Sequence, residues 1–225
     1  MRNERFDICI QTVWRERVLE KTLESFIKHL FAPGVYRFQY HVICNIDPIG
    51  DPESTTKGVK DLVTKYFNEK FCEFITPEEP NFTQAVISTW ERVKSPFFFN
   101  LEDDWIMNKN IPLEDMYIIM EHNPRIASLT FPKAEWKRWY FSQNPSMVRA
   151  EWARRIIRKL NLKQSVEHQL DQNTLNGKQL NDLHIRYPHF RGHPIVTETG
   201  RVWRKKHGFV KPAPNFATWE KRGKK

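Results

Sequence analysis

The chain has 225 residues, enough for one α/β domain or a domain with an appended subdomain whose core needs no metal or disulfide. Eight Trp and 16 Phe against 8 Gly exclude a disordered or low-complexity chain. The net charge of +9 is split: residues 1–129 hold 15 basic and 20 acidic residues, net −5, and residues 130–225 hold 21 and 7, net +14. Two basic blocks, 130–165 and 201–225, carry this excess, which suits either a polyanion or anionic membrane surface as partner or a solubilising, solvated face and tail.

No apolar run approaches the roughly 20 residues that span a bilayer, so no transmembrane segment is expected. The apolar stretch after Met1–Arg5 is interrupted at Gln11 and Arg15, unlike a signal peptide. Cys9, Cys44 and Cys72 are scattered, odd in number and without CxxC spacing, as expected of buried free thiols. The expected compartment is the cytoplasm, the host's if the chain is viral.

In chain order, Phe6–Ile10 is a β-branched run leading through Gln11-Thr12 to Trp14–Arg17, after which Val18, Leu19, Leu23, Phe26, Ile27 and Leu30 recur at helical spacing. Pro33-Gly34 stops this helix, Tyr40–Ile46 is the next strand, and Asp47–Pro52 is turn chemistry at its end. A helix over 57–70 and a strand Phe71–Ile75 follow. Pro77 and Pro80 mark a loop, and Asn81 or Thr83 caps a helix through Ala85, Val86, Trp90 and Val93 that ends at Ser95-Pro96. Phe97–Leu101 is short and apolar enough for a buried strand, and Glu102-Asp103-Asp104 follows at once.

This alternation predicts an α/β fold with a Rossmann-type, mostly parallel sheet and helices on both faces, in which ligands bind beyond the carboxyl ends of the strands. Thr12–Arg15, Asp47–Asp51 and Glu102–Asp104 all fall at such ends. The second half reads as a strand Ile126–Phe131, an aromatic-basic stretch Trp136–Tyr140, a helix near 147–160, another from about 165, and beyond Val210 a Lys-rich tail that is mobile or orders only on binding.

Three consecutive carboxylates repel and raise one another's pKa unless a cation neutralises them. Mg²⁺ or Mn²⁺ does this with one or two protein carboxylates and completes its sphere with diphosphate oxygens and water. A solvated acidic turn is the competing reading of the three residues taken alone.

The surrounding motifs resemble the family-2-like glycosyltransferases of GT-A fold over roughly residues 5–210. Thr12-Val13-Trp14-Arg15 with Leu19–Phe26 is similar to the family's first strand-loop-helix, where a Thr and an Arg stand near the nucleotide. Ile46-Asp47 resembles its acidic residue at the base or ribose, and Asn81–Ala85, with Gln84, its helix entry before the metal motif. Phe98–Trp105 resembles the acidic DxD motif in an EDD form. The chain departs from the pattern at Val13-Trp14 and in lacking paired acids on the second strand, which leaves the base open.

The resemblance implies a single catalytic domain over 1–210, with a nucleotide-sugar half (1–129) and an acceptor half (130–210), and a basic tail over 211–225. It implies Asp104 as a ligand of Mn²⁺ or Mg²⁺, and Thr12, Arg15, Asp47, Gln84, Glu102, Asp103 and Arg201 as contacts of a nucleoside-diphosphate sugar, UDP-sugars foremost. A further metal ligand is implied among His189, His193 and His207, with His193 preferred. Glu167, after the acceptor-side segment Ser142–Ser146, stands where an inverting enzyme keeps its base, with Asp171 as the fallback. Gly200–Gly208 resembles a late GRxW stretch whose cations compensate the diphosphate.

For the acceptor, the basic half suits a modified base in DNA, as bacteriophages use, or a cell-surface glycan or lipid at an anionic membrane. A non-catalytic nucleic-acid-binding protein gains nothing from three carboxylates at a strand end. A two-metal nuclease requires a second acidic cluster, which the sequence lacks.

Overall fold

The structure, a computed structural model, describes residues 4–32, 37–133, 142–170, 174–175, 178–188, 194–210 and 217–221. In chain order the elements begin with β1 (Glu4–Trp14), α1 (Glu16–Phe26), β2 (Phe38–Gly50), α2 (Thr56–Tyr66), β3 (Cys72–Ile75), α3 (Phe82–Trp90) and β4 (Phe97–Glu102). Next come β5 (Trp105–Met107), α4 (Leu113–His122), β6 (Ile126–Thr130), β7 (Ser146–Arg149), α5 (Ala150–Ile157) and α6 (Val166–Gln169). The short strands β8 (Thr174–Leu175), β9 (Lys178–Gln179), β10 (Leu183–Arg186) and β11 (Val196–Glu198) lead to α7 (Gly200–His207), β12 (Phe209–Val210) and β13 (Glu220–Lys221).

A seven-stranded sheet runs in the order β10-β6-β7-β4-β1-β2-β3. Pairs β1/β2, β2/β3, β1/β4 and β6/β10 are parallel, and β7 lies antiparallel between β4 and β6. The sheet is thus mostly parallel, as the alternating pattern predicts. Its faces are sorted by the two-residue period of a strand. Phe6, Ile8 and Ile10 of β1 pack with α1, α2 and α4 through Leu23, Val59 and Met116 on one side. Cys9 of β1 and Phe98 of β4 meet Trp90 of α3 and Trp152 of α5 on the other. Trp90 anchors that side, donating from Nε1 to Asn100 Oδ1 at 2.9 Å while the Asn100 amide donates to Gln143 Oε1 at 3.0 Å.

Several boundaries differ from expectation. The helix expected over 57–70 is capped by Thr55, which accepts from the Gly58 N–H, and ends at Tyr66, because Phe67 is extended and Asn68 opens a separate turn. Of the two cap candidates, Asn81 and Thr83, it is Asn81 that caps α3, by accepting from the Gln84 N–H. The helix expected near 147–160 begins only at Ala150, since Ser146–Arg149 forms β7. Ser146–Arg149 is a four-residue strand flanked by strands and covered on both faces, too short and without the alternation that would set it apart from the helix that follows. The helix from about 165 is only the four-residue α6, capped by Ser165. Cys9 and Cys44 are buried free thiols and Cys72 is half-buried. Of the tail beyond Val210, the described residues 217–221 are not mobile but packed on the domain: β13 pairs with β12, and the Phe82 N–H donates to Ala217 O at 2.9 Å.

Candidate active site

Beyond the carboxyl ends of β1, β2 and β4 lies a cavity of about 400 Å³. Asp47, Glu102, Asp104 and Glu167 give it acidic walls, while Lys133, Arg201 and Arg204 surround Glu198 on its basic side. Val13, Ile49, Pro80, Phe82 and Trp219 add an apolar lining.

The buried strand β4 carries the acidic residues to this place. Asp103 and Asp104 form the turn between β4 and β5, held by the Asp103 N–H donating to Gln11 O at 3.2 Å. Their side chains have different surroundings. The Asp103 carboxylate is sealed inside, accepting from Thr12 Oγ1 at 2.7 Å, the Val13 N–H at 3.2 Å, and both Nε (2.8 Å) and Nη2 of Arg15. Asp104 accepts from Arg15 Nη2 at 3.1 Å through Oδ2, whereas its buried Oδ1 has no hydrogen-bond partner.

Burial works against the charge of Arg15, but the two carboxylates outweigh it and hold its proton above the ordinary guanidinium range. For Asp104, burial raises the pKa, Arg15 opposes that rise, and Asp103 and Glu198 add to it. The guanidinium also lies 5.3 Å from the Trp203 ring and 5.0 Å from that of Trp219. It therefore ties the acidic turn to α7 and to the residue preceding β13.

The second half fixes Asp104 from the opposite side. Its carbonyl accepts from the Thr199 N–H at 2.8 Å and Oγ1 at 3.0 Å. The first residue of α7 is glycine for steric reasons, because a Cβ at Gly200 would stand 1.8 Å from Asp104 Oδ2. Antiparallel pairing of β5 with β11 sets Glu198 opposite Trp105, one residue from Asp104. Lys133 Nζ pairs with Glu198 Oε2, and Arg201 Nε (3.1 Å) and Arg204 Nη2 (3.4 Å) pair with Oε1. Burial pushes the Glu198 pKa up, but these cations overcome it and the net shift is downward.

Asp47 ends the regular β1/β2 pairing and accepts from Asn45 Nδ2 at 2.7 Å and the Asn81 N–H at 3.1 Å. Burial raises its pKa to about 6, outweighing the two hydrogen bonds that favour its charge. An acid whose folded pKa exceeds its unfolded value binds extra protons in the folded state. Asp47 therefore makes the fold less stable as pH rises from about 4 to 6, by on the order of 2–3 kcal/mol. In urea titrations across this range, Asp47→Asn should remove that component; an unchanged pH slope would refute the assignment.

Glu167 lies exposed on the first turn of α6, accepting from the Gln143 N–H at 3.2 Å and Ser142 Oγ at 3.4 Å. Ser142 also donates to Asn144, another residue of the cavity wall, at 2.9 Å. The segment expected on the acceptor side thus holds Glu167 at the cavity.

Of the residues expected to bind donor, metal or acceptor, Asp47, Glu102, Asp104, Glu167 and Arg201 line the cavity. Thr12, Arg15 and Asp103 stand behind its wall, the first two each donating to the Asp103 carboxylate. Gln84 is outside the lining and donates to Ser88 Oγ at 2.9 Å. His207 is engaged with Asp51 at 3.1 Å and stacked on Trp203. His189, His193, Asp171 and Trp136–Tyr140 lie outside the described residues. Sequence reasoning missed Glu198, Lys133 and Trp219. The one available signal was an acid three residues before Arg201, a spacing at which opposite charges can meet at the start of a helix.

Among the described residues no group of three His, Cys, Asp or Glu side chains could hold a metal. The site nevertheless fits Mg²⁺ or Mn²⁺, which need only one or two protein carboxylates beside substrate phosphates. The unpartnered Asp104 Oδ1 is a buried anionic oxygen at the cavity wall, and Glu102 is the nearby second carboxylate in the same wall.

No family model matches the sequence, and no curated protein matches it. Among solved structures, a cytidylyltransferase from Leptospira borgpetersenii is 11% identical with a TM-score of 0.52, covering 88% of this chain and 82% of that one. The glycosyltransferase GlyE of Streptococcus pneumoniae is 11% identical with a TM-score of 0.50, covering 83% and 46% respectively. S. aureus TarS is 13% identical with a TM-score of 0.47, and the match spans 65% of this chain but 28% of TarS. This chain therefore spans well under two thirds of the length of TarS and GlyE. Its mostly parallel sheet, with helices on both faces, has the GT-A-like fold found in glycosyltransferases and nucleotidyltransferases.

Proposed function

We propose that the chain is a metal-dependent glycosyltransferase that moves a sugar from a nucleoside-diphosphate donor, a UDP-sugar foremost, to a hydroxyl acceptor. The observation that carries this reading is the buried, unpartnered oxygen of Asp104 in a cavity that also presents Lys133, Arg201 and Arg204. A carboxylate able to take a divalent ion, facing cations able to take phosphate oxygens, matches the charge of a leaving diphosphate.

In this reading Asp104, with Glu102, holds Mn²⁺ or Mg²⁺, and the bound ion supplies Lewis-acid stabilisation of the departing diphosphate. His193 remains the proposed additional ligand. Asp47, Val13, Ile49 and Phe82 receive the base and ribose, while Arg201 and Arg204 take the diphosphate. Thr12, Arg15 and Asp103 contribute from behind the wall, by fixing the acidic turn. Gln84, at the capped start of α3, keeps the helix entry beside Asp47.

Glu167 takes the proton of the acceptor hydroxyl as its oxygen attacks the anomeric carbon and the bond to the diphosphate breaks. Glu167→Gln should lower transfer by about 10²-fold while leaving donor affinity unchanged. Transfer at the parental rate would remove Glu167 from this role. We assign the donor to residues 1–129 and the acceptor to residues 130–210, with 211–225 as a basic appendage, and place the activity in the cytoplasm.

The acceptor we favour is duplex DNA bearing hydroxylated bases, because the net +14 of residues 130–225 suits a polyanion. An anionic glycolipid surface is the competing acceptor. No described helix is long and apolar enough to cross a membrane.

The test is to incubate the protein with UDP-sugars, GDP-mannose or CTP plus a sugar acid, with Mn²⁺ present or chelated. Release of nucleoside diphosphate from a nucleotide-sugar supports the transferase. Release of inorganic diphosphate from CTP overturns it in favour of a nucleotidyltransferase of the same fold.

A further inference from the structure

Glu198 has a place in the cavity that transferase chemistry does not explain. It is a carboxylate in the wall, yet its two oxygens are taken up by Lys133, Arg201 and Arg204, all three also cavity residues. Its side chain is 13% exposed, beside side chains of Lys133 and Arg204 that are 24% and 22% exposed, so these charges face one another with little water between them, while Arg201, 71% exposed, closes the group at its solvent edge. Two backbone anchors fix its position: the pairing of Glu198 with Trp105, and the bond from the next residue's N–H to Asp104 O. Asp104 also senses the charge of Glu198, which raises its pKa.

We propose that Glu198 is a built-in competitor for a diphosphate subsite formed by Lys133, Arg201 and Arg204: an internal carboxylate that holds the three cations until a diphosphate takes them and that helps to expel the product diphosphate afterwards. The inference rests on the nucleotide-sugar reading for its biological ligand, but the competition itself concerns any diphosphate.

Lys133 and Arg204 left together in a partly dry cavity would repel one another, with the more solvent-screened Arg201 adding to this at the edge, and an interposed anion keeps them gathered. The same anion opposes an arriving phosphate through like charge at short range. Affinity for diphosphate is thereby lowered and release of product favoured. The downward pKa shift of Glu198 agrees with a carboxylate that stays ionised among these cations.

The test measures binding of inorganic pyrophosphate in EDTA, followed by intrinsic tryptophan fluorescence, for the full chain and for Glu198→Gln. Glutamine keeps the shape and can accept hydrogen bonds without the charge. It should bind pyrophosphate about tenfold more tightly, with the difference shrinking at high salt. Glu198→Asp, which retains the charge, should stay near the parental affinity. Equal or weaker binding by a folded Glu198→Gln protein overturns the proposal. If that variant does not fold, Lys133→Met decides instead: weaker pyrophosphate binding supports the subsite, and unchanged binding overturns it.

UDP with Mn²⁺, titrated in parallel, separates the two ideas. Parental protein that binds UDP while Glu198→Gln shows no gain for pyrophosphate refutes the competitor alone. A gain for pyrophosphate with no UDP, GDP or CDP binding refutes the nucleotide-sugar reading alone.

Discussion

Asp104→Ala is expected to abolish donor cleavage, lowering turnover by about a thousandfold, while leaving the protein at least as stable as its parent. The two effects separate because Asp104 is poorly provided for in the fold. Its Oδ1 is buried without a partner, and its charge is opposed by Asp103 and Glu198. Removing it takes away an ill-solvated anion but leaves Arg15 paired with Asp103 through two hydrogen bonds. A residue kept at a cost to stability is what a binding site requires. Two measurements check this: nucleoside diphosphate release from a nucleotide-sugar with Mn²⁺, and urea unfolding of the same preparation. Full activity in the variant would end the metal assignment. A loss of activity accompanied by a large loss of stability would show that Asp104 is structural.

Arg15 is expected to behave in the opposite way. Arg15→Met should destabilise the fold by about 3–5 kcal/mol, the usual cost of stranding a buried charge. Its side chain is 2% exposed and that of Asp103 is 1% exposed, so no water replaces the lost cation. Methionine restores the apolar volume but not the charge, and Asp103 and Asp104 would face each other without a counter-ion. Lysine should rescue poorly, because one ammonium cannot reproduce the planar fork that binds both carboxylates. Adding Asp103→Asn to Arg15→Met should recover part of the loss, a non-additivity that a mere packing defect would not show. Additive losses in the double variant would remove the charge argument. Because Arg15 also lies against Trp203 and Trp219, changes in tryptophan fluorescence should accompany the loss.

The framework was legible where the chain alternates regularly. Phe6–Ile10, Tyr40–Ile46 and Phe97–Leu101 each became buried strands, and the polar residues following them converged on one cavity. Local chemistry also narrowed the cap of α3 to Asn81 or Thr83, of which the structure uses Asn81. Legibility failed at β7, whose central place in the sheet erased the alternation that marks a strand. It failed again at residues 217–221, because a short Lys-containing segment is ordered here by tertiary contacts of Trp219 with Arg15 and Arg204.

The candidate site divided along the same line. Acids delivered by strands could be placed from sequence, since a strand fixes the end to which its residues are carried. What each acid would face could not. Nothing in the order Glu102-Asp103-Asp104 tells which carboxylate is locked behind the wall by Arg15 and which is left with an unpartnered oxygen. The role of Glu198 depends on Lys133, 65 residues earlier in the chain, and no local pattern records such a pairing.

Thr199, which secures Asp104, follows it by 95 residues. At a synthesis rate of about 5–20 residues per second, the acidic turn leaves the ribosome roughly 5–20 s before the segment that completes its cavity. Arg15 is made before both carboxylates, so the cation that neutralises them is already on hand. The order of translation thus lets the turn of Asp103 and Asp104 settle against the first helix long before there is a site for it to serve.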